Sequence, residues 1–573
     1  MRAWNTSRHS DDGDRIPLRQ LDIEPVELST SGSTVVSDNL EGGNGNLLPS
    51  LPRNQGLHPR LRSPSVTKDV DMADGEDFPK PGEPYRLVPG RIPGKAWLIV
   101  VTELCERFTY YGASLLFQVY MLKELHLSQS WATAVNRGFS FFCYFTTIIG
   151  AVIADQYLGK YSTILIFATL YTIGLFILTL SSTTASLEAG WGLPGFLLGC
   201  YVFMGLGTGG MKACVSSYVA EQIPVTKNLI PTHQPGVYID YQLTIERVFR
   251  YFYWAICLGA FVGQVLCPMV AQNMSYPSAY SLPTILFVVA IIVFRWGRYQ
   301  YINKPPTEAL LLKALRCVRY AFQHKQSGNY EHWLDVAKHG YKGDDWNAEF
   351  VDSLKSTFRA CAVFCFYPFF WGIYSNMSDN FITMALRMQR PTWFAPDQLN
   401  ALINLVLVII IPVFDMYGLP FLQARNYRMG PIFRIALGFF LAFVAFFYIT
   451  VLQFFVYTTG PYYDFTTPGI PVGAQNHISI WWQAIPCLLM GFSDFFASAT
   501  GLEFAYSQAP GEMKSVVIAL YLFTSCGGSF LGLFVAYWSQ DPNFVSVFGF
   551  QAVVMLVVTL VFYYLFHHWD RFM

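Results

Sequence analysis

From Gly94 onward the chain repeats long apolar segments at about 95–122, 136–157, 161–182, 193–218, 247–271 and 280–297, and again at about 356–376, 399–422, 430–457, 479–506, 513–538 and 546–567. Each is close to the roughly 20 residues an α-helix needs to cross a bilayer. Hydrocarbon offers no partner for backbone N–H and C=O groups, so a crossing segment must satisfy them internally, as a helix does. The pattern predicts an all-α membrane protein of twelve transmembrane helices in two groups of six. Composition agrees: only 13% of residues are charged, against about one quarter in soluble proteins. That excludes an ordinary soluble enzyme and a nucleic-acid binder with a basic patch. Equal numbers of acidic and basic residues give no hint of a polyanionic partner.

Four regions follow. Residues 1–90 are rich in Ser, Gly, Asp and Pro and lack hydrophobic periodicity, which predicts a disordered cytosolic tail. Residues 91–297 hold the first six spans, 298–355 form a linker, and 356–573 hold the last six. Within the linker, Leu310, Leu311, Leu312, Leu315 and Val318 alternate with Lys313, Arg316 and Arg319, the pattern of an amphipathic helix at the inner membrane surface. Loops after the second, sixth and eighth spans carry Lys160, then Arg298, Lys304 and Lys325 with the linker cations, then Arg425 and Arg428. The loop at 458–478 has neither Lys nor Arg. This asymmetry predicts cytosolic termini, with Arg387 and Arg390 as a mild exception. Most of the eleven cysteines sit in apolar stretches without pairing or metal-ligand spacing. Asn273-Met274-Ser275 forms a glycosylation sequon in a short outer loop.

Chemistry resides in the charges that lie inside spans. An ionised side chain in mid-bilayer costs at least about 2.5–3.5 kcal/mol, yet the first span carries Glu103, Glu106 and Arg107. With Tyr110 they fall at i, i+3, i+4 and i+7, on one helical face. A single structural ion pair accounts for one acid and the arginine. The second carboxylate, beside Tyr110, Tyr111 and Gly112, points to a proton-exchanging site. In the fourth span, Lys212 follows Gly205-Leu206-Gly207-Thr208-Gly209-Gly210-Met211. It lies too deep to snorkel easily, so a cavity-facing cation is expected. Those glycines lack the Gly-Lys-Ser/Thr of a phosphate loop. The tenth span adds Asp494, flanked by apolar residues, and Glu503 nearer its end.

The block from Glu103 through Gly112, Glu-x-x-Glu-Arg-Phe-x-Tyr-Tyr-Gly, resembles the first-helix signature of the proton-dependent oligopeptide transporter family, a branch of the major facilitator superfamily, and looks closest to its fungal peptide transporters. Ala154 to Lys160, Gly205 to Lys212, Arg247 to Gly259, and Thr500 to Tyr506 with Ala509-Pro510 and Met513-Lys514-Ser515 are similar to further family blocks. The resemblance implies the major facilitator fold. It implies that Glu103, Glu106 and Arg107 couple protons, that Arg107 and Lys212 meet a substrate carboxylate, and that Asp494 meets an amino terminus. Tyr111, Tyr144, Trp371 and Asn376 would line the pocket. Departures from the family pattern fall at Cys214, Cys257, Asn376, Asp494 and Thr147, where the family commonly has other residues. The ionic frame is kept, while several amide groups that would recognise a peptide backbone are replaced.

The expected function is import of di- or tripeptides with protons by alternating access, at the plasma membrane, by a monomer that needs no cofactor beyond the coupling proton. Rival readings are a proton-coupled carrier of a non-peptide substrate (an organic anion, nitrate or a secondary metabolite), a nutrient sensor derived from a transporter, and a membrane enzyme. The last is disfavoured because His126, His233, His324, His477 and His567 lie in loops or at span ends and form no cluster.

Overall fold

The computed structural model describes residues 86–571, apart from 225–228, 233–236, 307–309, 325–331, 340–345, 415–416, 418–424, 426–429, 468, 472 and 509–513. Most of the expected tail, Arg428 and the block at 509–513 therefore lie outside the described residues. The tail boundary shifts. Arg86–Pro89 form β1, which pairs in parallel with β3 (Val237–Asp240), and β3 pairs antiparallel with β2 (Ile230–Pro231). Gly90 N–H donates to Thr244 Oγ1 at 2.8 Å and fastens the strand to the first turn of the fifth span.

Among the described residues, ten helices are long and apolar enough to cross a membrane. They include α2 (Gln129–Leu158), α3 (Lys160–Ser181), α4 (Gly192–Glu221) and, through most of its length, α5 (Tyr241–Asn273), followed by α6 (Tyr276–Trp296). Preceding these, α1 (Gly94–Lys123) has 30 residues, about 45 Å at 1.5 Å per residue, but its charges dilute its apolarity. The linker helix predicted around Leu310 is α7 (Leu310–Gln323).

The seventh span departs from the expected 356–376. It is a segmented run: α8 (Ala348–Cys361), α9 (Tyr367–Tyr374), a 3-10 turn at Ser375–Ser378 and α10 (Asn380–Leu386). Asn376, Asp379 and Asn380 ended the apolar stretch in the sequence, yet all three are buried. The remaining spans are α11 (Pro396–Val413), α12 (Pro431–Thr458), α13 (Ile480–Ala505), α14 (Lys514–Ala536) and α15 (Phe544–Phe566). A short parallel pair, β4 (Met388–Gln389) with β5 (Asn476–Ser479), ties the ends of the seventh and tenth spans.

Buried apolar side chains form two clusters. One runs from Ala96 to Tyr301 and takes in Ile382 and Leu386; the other runs from Ala314 to Phe566. Glycines set helix spacing inside the first. A Cβ on Gly259 of α5 would lie 2.3 Å from the Leu104 carbonyl oxygen, and one on Gly263 would lie 2.4 Å from that of Phe108. Helices α1 and α5 thus pack backbone to backbone, as small residues permit in membranes. On α7, Ala314, Cys317 and Ala321 are buried in the same cluster as Leu334, Ala337, Val351 and Leu354, while Leu315 and Phe322 stay exposed. Its apolar stripe is therefore largely covered by protein. Beside it, Asp335 is paired with Lys355 and Lys338, and the Lys355 hydrogen bond holds the Asp335 carboxyl below the usual carboxylate range.

Candidate functional site

One turn of α1 creates the centre of the site. Glu103 Oε1 lies 3.0 Å from Arg107 Nε, and Glu106 Oε2 contacts Arg107 Nη2. All three side chains are buried, Glu106 completely. One guanidinium therefore serves two carboxylates, as the helical spacing predicts. Arg107 also lies 5.7 Å from the centre of the Tyr110 ring.

The glycine block of α4 brings a second cation to the same ring. A Cβ on Gly209 would lie 2.0 Å from Thr146 Oγ1, and one on Gly150 would lie 2.5 Å from Gly210 Cα. With so little between the helices, α4 presses against α2 and Lys212 reaches the centre. Its Nζ sits 4.2 Å from the Tyr110 ring centre and 4.5 Å from that of Tyr144. A cation over an aromatic face is attracted by about 0.5–2 kcal/mol, more when desolvated. Tyr110 therefore holds two like charges close without direct contact. The sequence reading placed Tyr110 on the acidic face but did not recognise this role. Tyr111 meets it edge-on at 5.2 Å.

Asp494, on α13, belongs to the second group of spans. Tyr374 OH donates to its Oδ2 at 3.3 Å, and the Ser498 hydroxyl donates to Oδ1. Among the described residues no cation is paired with it. Tyr111 and Tyr144 each feel the charge of both Arg107, in the first group of spans, and Asp494, in the second. Trp371 donates from Nε1 to Thr524 Oγ1 at 3.1 Å and meets Tyr374 edge-on at 5.7 Å. Asn376 stands apart from these residues. Fully buried, it donates to the Ile373 carbonyl at 2.8 Å and accepts from Asn380 Nδ2 at 2.6 Å. Glu503, the other acid of that span, is exposed and binds Arg434 in a two-bond fork at 3.0 and 3.1 Å.

Sequence reasoning missed a second buried ion pair. Arg137 of α2 binds Asp379 of the seventh span, with Nε 2.5 Å from Oδ2 and Nη2 3.1 Å from Oδ1. It also donates to the Gly372 carbonyl at 2.9 Å and contacts Ser375. Around it runs a seam of neutral bonds between the two groups of spans. Gln118 donates to Thr383 (3.1 Å), Asn136 to the Ser378 carbonyl (2.8 Å), and Asn404 to Gln264 (2.7 Å). Gln129 exchanges two bonds with Asp541, at 2.9 and 3.0 Å. Asp541 in turn pairs with Arg387 and accepts from Tyr457 OH at 2.5 Å. Of the two cations that break the loop-charge pattern, Arg387 is thus neutralised locally, and Arg390 donates to the Leu386 carbonyl at 3.0 Å.

A family model described as "PTR2: POT family" matches residues 161–556. A probable peptide transporter, ptr2, from Schizosaccharomyces pombe is 35% identical over 517 residues, covering 87% of this chain and 82% of that protein. The peptide transporter PTR2 of Saccharomyces cerevisiae is 34% identical over 513 residues, covering 87% and 83%. The crystal structure of the POT family transporter PepTSo superposes with a TM-score of 0.65 at 23% identity, over 84% of this chain and 99% of that one. An auto-inhibited POT family peptide transporter gives 0.64 at 22%, over 82% and 96%.

Proposed function

Because this chain belongs to the POT family, we propose that it is a proton-coupled symporter importing di- and tripeptides, and that Glu103, Glu106, Arg107, Lys212 and Asp494 do the work. The single observation that carries this reading is the split of charge between the two groups of spans. Glu103, Glu106, Arg107 and Lys212 sum to zero, so one proton on either acid leaves the cluster with a net positive charge. That cluster then attracts a peptide carboxylate. Asp494, without a paired cation, receives the amino terminus. A zwitterion spanning both groups links the two bodies that rock during transport.

The cycle follows from this balance. Protonation of Glu103 or Glu106 removes one of two competitors for Arg107 and frees the guanidinium for the substrate. Return of the proton to the cytosolic side restores the ion pair and displaces the carboxylate. The membrane potential favours inward movement of a net positive load, by about 2.3 kcal/mol per charge per 100 mV. Both termini face the cytosol, the plasma membrane is the site of action, and the monomer is the working unit. The seam around Arg137 lies on the outer side of this arrangement and represents its outward-closed form. Cys214 and Cys257, where the family commonly has amides, tune which peptides are accepted.

The test is uptake of a labelled dipeptide panel into proteoliposomes at acid and neutral outside pH. Glu106→Gln is expected to abolish the acid stimulation while retaining peptide binding. Lack of proton-stimulated uptake for every peptide would refute the assignment.

A further inference from the structure

Thr109, Thr172, Thr179 and Thr284 each donate the hydroxyl to the carbonyl four residues back, at 2.7–2.9 Å. That is the usual local outlet for a threonine inside a helix. Thr208 of α4 does not use it. Its side chain is fully buried, and Oγ1 has no aligned hydrogen-bond partner. The helix supplies the reason. Leu198–Gly205 runs as a π-helix and includes Met204, four residues before Thr208, so the usual acceptor belongs to a widened turn.

Two further orphaned oxygens gather at the same place. Gly207 sets α4 against α3, since a Cβ there would lie 2.5 Å from Tyr171 Cβ. The Tyr171 ring is wedged between this contact and Phe287 of α6, 4.7 Å away. Its hydroxyl lies beside that of Thr208 and in the field of Glu106 and Arg107, yet it too lacks an aligned partner. Glu106 turns Oε2 to Arg107, and its Oε1 has none. All three side chains are fully buried, and they come from α1, α3 and α4.

Leaving a buried polar atom unpaired costs about 1–3 kcal/mol, so three at one place call for a shared partner. Arg107 and Lys212 both act on Glu106, which disfavours a cation there. An apolar occupant would leave all three oxygens unpaired. A buried water, which makes about three hydrogen bonds, suits them.

We propose that a single water is held between Glu106 Oε1, Tyr171 OH and Thr208 Oγ1, and that it serves Glu106 in both protonation states. To the carboxylate the water donates. When Oε1 carries the proton, the water accepts it in a hydrogen bond and donates onward to a hydroxyl. Water and hydroxyls can play either part, whereas the Arg107 guanidinium can only donate. Tyr171 and Thr208 are therefore positioning residues that act on the proton through the water. The titratable groups facing Glu106 are Arg107 and Glu103 on α1, Lys212 on α4, Tyr171 on α3 and Cys143 on α2. The inference rests on the proposed proton role of Glu106 and adds the groups that hold its proton.

The test is infrared difference spectroscopy of the full chain in nanodiscs, stepped between neutral and acid pH. The carboxyl band that Glu106→Gln removes belongs to Glu106, and a water O–H band that moves in oxygen-18 water reports the site. Wild-type protein is expected to show both. In Thr208→Val and in Tyr171→Phe the water band should vanish. The carboxylate then loses a donor, so the Glu106 band should titrate about one pH unit higher, a tenfold change in proton binding. Thr208→Ser restores the hydroxyl and should restore both signals. Thr172→Val, which removes a buried hydroxyl already bonded within its own helix, should change neither. If Thr208→Val does not fold, Tyr171→Phe keeps the ring and carries the same expectation. An unshifted Glu106 titration in either folded variant, or a water band that persists in both, would overturn the proposal. A spectrum in which Glu106→Gln removes no band would overturn the proton role together with the water. Peptide uptake does not enter these spectra, so failure here and failure of the transport assignment are separable.

Discussion

At the scale of single residues, buried charge tells its function through its partner, and only some partners are visible in a sequence. Glu103 and Arg107 are four residues apart, so helix geometry alone pairs them. Arg137 and Asp379 are separated by 242 positions, and no local period connects them. Read from the sequence, Arg137 falls at the very start of the second span, where an arginine can snorkel, so the argument that singled out Lys212 does not reach it. Removing one member of such a pair costs about 3–5 kcal/mol, because the other charge is left buried. Asp379→Asn is therefore expected to lower the melting temperature of the purified protein markedly. R137M with D379L should recover most of that loss, since an apolar pair strands no charge. A melting temperature for Asp379→Asn equal to wild type would show that the pair does not hold the structure together.

At the scale of helices, apolar length located the spans, but buried polar residues blurred their ends. Apolar length predicts a seventh span ending at 376, whereas the helical run continues through Asn380–Leu386. Asp379 and Asn380 bond to Arg137 and Thr133 of the other group of spans, and that is a tertiary fact. Similarly, the closeness of α1 and α5 hangs on Gly259, whose sequence context marks a small residue but not its neighbour. With a Cβ placed 2.3 Å from the Leu104 carbonyl oxygen, Gly259→Ala must push two backbones apart. Overpacking of this kind costs about 1–3 kcal/mol, and here it also shifts the turn that holds Arg107. The variant is expected to melt several degrees lower and to lose peptide uptake. Gly94→Ala, where nothing lies within 4 Å, serves as the control. Unaltered melting and uptake for Gly259→Ala would mean that the helices can separate without consequence.

At the scale of the whole molecule, the bonds between the two groups of spans differ in kind. Arg137 and Asp379 carry opposite charges across the boundary, while Gln118 with Thr383 and Asn404 with Gln264 cross it as neutral donors and acceptors, and the Gln129 amide donates across it to the Asp541 carboxylate. Asp541 keeps Arg387 and Tyr457 on its own side, so parting from Gln129 strands no charge. A seam built this way can open at modest cost everywhere except at one ion pair, which makes that pair the main barrier to opening it. If the seam must open in each cycle, fastening it should stop transport without unfolding the protein. Gln118→Cys with Thr383→Cys replaces two side chains that meet across the seam at 3.1 Å and leaves two thiols separated by the missing length of the glutamine, a gap for a short bis-methanethiosulfonate cross-linker. Cross-linking is expected to reduce peptide uptake to background, and a reductant to restore it. Each single variant, treated with the same reagent, should continue to transport. Full uptake by a completely cross-linked double variant would mean that the seam stays shut while substrate passes, and alternating access through it would have to be abandoned.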